Sequence, residues 1–104
     1  MSEYIAPLKD MRFVMQELAG QADVIALPGC EEASPDVVDA ILDEADRFAS
    51  QVLSPLNRVG DSDGARWKDT VVTTTPGFKE AYRQFVDNGW NGLGCNSEHG
   101  GQGL

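Results

Sequence analysis

Histidine, cysteine and basic side chains are all scarce. One histidine, His99, and two cysteines, Cys30 and Cys95, occur in 104 residues, and there is no CxxC pair. A structural zinc site needs four nitrogen or sulfur ligands at short spacings, so zinc is excluded as the organiser of the fold. Both cysteines fall in loop-like segments. A bridge between them is one reading, and two free thiols in a cytosolic protein is the favoured one. Eight basic residues face 17 acidic ones, for a formal net charge of −9. A chain of that sign repels phosphate backbones and has no basic stripe to offset it, which removes nucleic acid as a partner. No apolar run approaches the roughly 20 residues of a membrane span. The stretch Met1 to Asp10 lacks the charged start and apolar run of a secretory signal. These absences point to a cytoplasmic protein.

What is present is one small unit, 41% hydrophobic and 24% charged. A chain this short buries proportionately less surface than a larger one, so its stability alone is marginal. Apolar periodicity predicts about three helices joined by long loops, an all-α fold. The first runs from Pro7 to Ala19, with Leu8, Met11, Val14, Met15 and Leu18 at spacings of three and four and Gly20 as its stop. The second is the strongest. Ser34 is its N-cap, Pro35 its first residue, and Asp36 complements the positive helix end. Val38, Ile41, Leu42, Ala45, Phe48, Ala49, Val52 and Leu53 then form one face and Asp39, Asp43, Asp46 and Arg47 the other, until Pro55. The third is capped by Thr74 or Thr75 and begins at Pro76. It carries Phe78, Ala81, Tyr82, Phe85 and Val86, and closes at Asn88-Gly89.

Residues 20–33 read as a connector. The stretch from Asn57 to Thr75 reads as a loop, marked by Gly60 and Gly64, with Thr70 to Thr75 extended or weakly strand-like. Six of the eleven glycines lie from Gly89 onward, and the ending on GGQGL resembles an interrupted chain more than a natural terminus.

Four groupings invite a chemical reading. Asp61-Ser62-Asp63-Gly64 suggests a calcium loop. With Gly64 as the central glycine, however, the first and closing ligands would fall on Val59 and Thr70, and neither supplies a carboxylate. A solvated turn whose aspartates bond the local backbone is the better expectation. Gly100-Gly101-Gln102-Gly103 suggests a phosphate cradle, but no strand precedes it and Leu104 stands where a lysine is needed, which favours a tight turn. His99 and Glu98 are adjacent, so they do not face one another as an acid–base pair. Neither Ser97 nor Cys95 has a base that spacing reveals. Phe48, Phe78, Tyr82, Phe85 and Trp90 are core or interface residues before they are cofactor stackers. No residue is therefore assigned as catalytic, cofactor-binding or metal-ligating.

The segment TTTPGFKEAYRQFVDNGWNGLGCNSEHGGQGL closely resembles the helix-and-loop signature near the front of acyl-CoA dehydrogenases. There a helix like Gly77 to Tyr82 ends in a Gly-Trp, here Gly89-Trp90, and a variable loop leads to GGxGL, here Gly100 to Leu104. The preceding DAILDEADRFASQVLSPLNRVGDSDGARW is similar to the family's first long helix and the loop after it, through Pro55, Asn57, Gly60 and Asp61. The opening YIAPLKDMRFVMQEL is similar to an N-terminal extension in one subset, which includes relatives acting on methylthio-propionyl-CoA. On that resemblance residues 1–33 are the extension and residues 34–104 begin the helical N-terminal domain.

The resemblance implies a larger enzyme. Its relatives carry a helical, a β-barrel and a four-helix domain, bind FAD, and form dimers or tetramers. A glutamate removes the α-proton of the acyl-CoA thioester, the β-hydride passes to the flavin, and an electron-transfer flavoprotein takes the electrons. The glutamate and the flavin contacts lie beyond the position of Leu104, so the 104 residues alone are expected to bind no FAD and to be inactive. Two rival readings stand beside this one. The first is a free-standing acidic helical interaction module. The second is a relative that has lost the activity or turned to another reaction, such as oxidation by oxygen.

Overall fold

The computed structural model describes residues 3–104, over which five α-helices and one β-hairpin follow in sequence. Helix α1 spans Leu8–Phe13 and runs on as a wider π turn over Val14–Leu18. Gly20, at φ 69°, ends it in the left-handed conformation that a Cβ disfavours. The carbonyl of Gly20 accepts from the N–H groups of Asp23 and Val24 at 2.9 and 3.2 Å, so the same residue opens α2, Gln21–Ile25. This corrects the expected connector. A single helical turn between Gly20 and Gly29 is too short to show apolar periodicity.

Helix α3, Pro35–Phe48, starts as expected. The Ser34 hydroxyl accepts from the Val37 N–H at 3.4 Å, and Pro35 needs no donor partner there. Its last turn, Ala49–Leu53, widens to a π turn closed by the Ser54 N–H on the Ala49 carbonyl at 2.8 Å. Pro55 gives the reason: it lacks an N–H and its ring crowds the preceding turn. The chain then resumes as helix α4, Leu56–Asp63, where a loop was expected. Gly64, at φ 64°, does end this helix. Gly60 lies inside it, because a Cβ at that position would stand 2.8 Å from the Phe78 ring. The glycine that reads as a loop marker is a notch for an aromatic side chain.

The all-α expectation is also corrected. Strands β1, Arg66–Lys68, and β2, Val71–Thr73, pair antiparallel with Trp67 opposite Val72. The two turn residues, Asp69 and Thr70, have φ 51° and 65°, the pattern of a type I′ hairpin turn. Asn-Gly or Asp-Gly usually announces such a turn, and neither is here. All six strand residues are exposed.

Helix α5 spans Phe78–Asp87 and enters differently from the expected threonine cap. Thr75-Pro76-Gly77-Phe78 forms a type II turn. The Phe78 N–H meets the Thr75 carbonyl at 3.1 Å, and Gly77 supplies φ 92°. Gly77 takes the cap position, no side chain caps the helix, and Thr75 is buried instead. The exit is the expected one, with Gly89 left-handed at φ 79°.

These elements form a plate, not a ball. The extents are 54 × 36 × 17 Å, so the thin dimension is less than two helix diameters of about 10–12 Å each. The radius of gyration is 17.4 Å, against about 13 Å for a compact chain of this length. Accessible surface is 7971 Å², whereas a compact chain of this mass exposes about 5,700 Å². Among the described residues only Ala81 and Thr75 are buried, and none is completely so. The seam between α3 and α5 is aromatic: Phe48 lies 6.2 Å from Phe85 and 6.4 Å from Trp90, and Tyr82 stacks on Phe85 at 6.4 Å.

Because Phe48 joins both partners, Phe48→Ala is expected to loosen α5. The cost is about 2 kcal/mol, under the usual 3–5 kcal/mol for a fully buried phenylalanine. Trp90 emission, read in a Trp67→Phe background, should move to longer wavelength. Unchanged emission and an unchanged urea midpoint would contradict this role.

Candidate functional site

Apolar side chains of α3 and of its last turn line two open grooves. The larger, 660 Å³, runs between α3 and α5 over Ile41, Phe48, Val52 and Trp90, with Glu44, Arg47, Gln51 and Gln84 among the polar side chains that also line it. The smaller, 350 Å³, lies between α3 and the α1–α2 segment, with Met15, Val24 and Ile25 facing Val38, Ile41 and Leu42. Leu93 and Leu104 line both, so the two grooves meet where the glycine-rich segment folds back. Arg47 in the larger groove pairs with Glu44, which leaves its charge spent on a neighbour.

The glycine-rich segment, residues 89–104, is knitted by its own backbone. The Asn96 side chain accepts from the Glu98 N–H at 2.8 Å and starts a 3₁₀ turn over Ser97–His99. Five successive amides then turn inward. Gly100 donates to Ser97, Gly101 to Asn96, Gln102 to Gly92, Gly103 to Cys95 and Leu104 to Leu93, at 2.9–3.1 Å. A phosphate cradle requires free N–H groups aimed at the anion. Here every one of the five is engaged, which supports the tight turn. Gly101 is needed for close approach, since a Cβ would fall 2.1 Å from the Cys95 carbonyl oxygen.

The other groupings are not brought together. Asp61, Ser62 and Asp63 occupy the last turn of α4, where residues two apart diverge around the helix, while Val59 lies earlier in α4 and Thr70 at the hairpin tip. The expected loop aspartates bonding local backbone are replaced by Ser62, whose hydroxyl donates to the Val59 carbonyl at 3.4 Å. Glu98 and His99 are exposed on the short turn. Cys30 is half-buried, Cys95 is exposed, and both are free thiols. The Glu31 carboxylate is held below its usual range by its own N–H and by that of Gly29, which it meets at 3.1 Å.

One arrangement was not legible in the sequence. Asp39, Asp43 and Asp46 lie at i, i+4 and i+7 on α3 and read as a solvated face. In the structure they hold the start of the chain. Arg12 reaches Asp39 at 3.1 Å and Asp43 at 2.7 Å, and the Ala6 N–H reaches Asp46 at 3.0 Å. Hydrogen bonding to Asp43, then to Asp39, strengthens the grip of the Arg12 guanidinium on its proton.

With this geometry in view, the class the chain resembles is that of the acyl-CoA dehydrogenases. No protein-family model matches the chain. It is 41% identical over 101 residues to 3-methylmercaptopropionyl-CoA dehydrogenase of Ruegeria pomeroyi. The match covers 97% of this chain and 17% of that enzyme's length. The chain therefore matches a stretch of an acyl-CoA dehydrogenase along nearly all of its own sequence.

Gly101→Ala is expected to disrupt the fold-back at a cost of about 2 kcal/mol, typical of forced overpacking. Inorganic phosphate should leave the amide resonances of Gly100 to Leu104 unmoved. Saturable shifts confined to those amides would contradict the hydrogen-bond accounting.

Proposed function

We propose that this chain is the N-terminal helical part of a flavin-dependent acyl-CoA dehydrogenase, which carries out α,β-dehydrogenation of an acyl-CoA thioester. Residues 1–33 serve as its N-terminal extension and residues 34–104 begin its helical domain. The observation that carries this reading is the 41% identity to 3-methylmercaptopropionyl-CoA dehydrogenase along almost the whole chain. The exposed surface supports it. The plate exposes about 2,300 Å² more than a compact chain of its mass, an excess the size of a large permanent interface. A remainder of polypeptide packed on the two grooves accounts for that excess.

Several groups that could meet a flavin are engaged within the chain. The glycine-rich amides are spent on carbonyls, Arg12 and Arg47 are held by carboxylates, and Trp90 packs against Phe48. FAD binding and the catalytic carboxylate accordingly belong to the rest of the enzyme. In this reading the 104 residues alone are inactive. Homo-oligomer formation, a cytoplasmic location and transfer of electrons to an electron-transfer flavoprotein belong to the same proposal.

Two preparations test it. The whole protein should be yellow and should reduce an electron-accepting dye when given an acyl-CoA, with 3-methylmercaptopropionyl-CoA the first to try. The 104-residue chain alone should be colourless, with no flavin band near about 450 nm, because a cofactor needs groups that position its reactive ring. A whole protein that neither binds flavin nor oxidises any acyl-CoA would overturn the enzymatic reading.

A further inference from the structure

Residues 4–12 are attached to α3 in a distinct way. Among the described residues, the four side-chain hydrogen bonds between positions far apart in sequence all join this segment to residues 39–54. They run in antiparallel order. The Tyr4 N–H meets the Ser54 hydroxyl at 3.4 Å, Ala6 meets Asp46 at 3.0 Å, and Arg12 bridges Asp39 and Asp43. The apolar side of the same segment is poorly fitted. Met11, Phe13, Val14 and Leu18 are exposed, and the 350 Å³ groove separates Met15 from Val38 and Leu42. Polar bonds, not apolar packing, fasten this part of the chain.

Charge explains why Arg12 is the fastening. Eleven of the 17 acidic residues precede Pro55, against three basic ones, Lys9, Arg12 and Arg47. Like charges at i and i+4 repel on a helix, and the Asp39–Asp43 pair is relieved by the guanidinium that bridges it. Arg47 is already engaged by Glu44. Beyond α1, Gly20 and Gly29 flank α2 with φ 69° and 89°, so the segment joins α3 through two glycine corners.

We propose that residues 4–18 form an electrostatically fastened strap on α3, with Arg12 as its buckle on Asp39 and Asp43. Unfastening swings the strap about its glycine corners and opens the apolar groove over Val38, Ile41 and Leu42. Exposed ion pairs contribute little individually and weaken as salt is added. The strap's opening therefore rises with ionic strength, whereas the α3–α5 seam, joined by aromatic side chains, does not share that dependence.

Amide hydrogen exchange of the intact protein, with α5 as an internal reference, tests this. Arg12→Gln should speed exchange at the α1 amides roughly three- to tenfold, the range expected for losing two such pairs. Raising sodium chloride to about 1 M, where screening reaches about 3 Å, should speed the same amides in the unaltered protein without any substitution. The α5 amides should keep their rates in both cases. Exchange at α1 unmoved by either change would overturn the strap. Equal acceleration of α1 and α5 would overturn it as well, since that is global loosening. So would a response to Arg12→Gln without a response to salt, which would make the arginine's contribution one of packing.

Discussion

Helix α3 meets α1 on one side and α5 on another, and the way each is attached governs the rest of the structure. The opening segment is bound to its acidic side by Arg12 and the Ala6 amide. Helix α5 and Trp90 are bound to its apolar side by Phe48, and α4 continues from its proline-widened end. A helix so placed is the axis of a plate, and a plate 17 Å thick has too little interior to cover an apolar stripe. The two grooves that meet at Leu93 and Leu104 are the uncovered part of that stripe.

Prolines and helix caps carried most of what was legible in the sequence. Ser34-Pro35 set the start of α3 and Asn88-Gly89 the end of α5, because both act through local backbone chemistry. Gly60 misled for the opposite reason. Its role depends on Phe78, 18 positions away, and spacing does not reveal a ring that needs room. The weak strand signal after Thr70 was legible but its pairing was not, because Asp69-Thr70 adopts the turn without the usual Asn or Gly. The aspartate ladder of α3 was read as solvent-facing, since a helix face of carboxylates shows no partner until Arg12 is folded onto it.

The groupings that invited a chemical reading take plain structural forms. The glycine-rich turn is closed by five inward amides. The acidic cluster is a helix end, and His99 and Glu98 stand exposed on a short turn. Sequence similarity adds that a stretch equal to 17% of a 3-methylmercaptopropionyl-CoA dehydrogenase matches nearly all of this chain. An uncovered apolar face fits the proposal that this chain depends on the rest of a larger enzyme.

Calorimetry of the 104-residue chain by itself, at several concentrations, tests that dependence most directly. A plate lacking its cover should unfold over a broad range with little excess heat, or only as a concentration-dependent assembly. A sharp two-state transition of a monomer, with the roughly 60–80 kcal/mol enthalpy typical of an independent 100-residue domain, would contradict it.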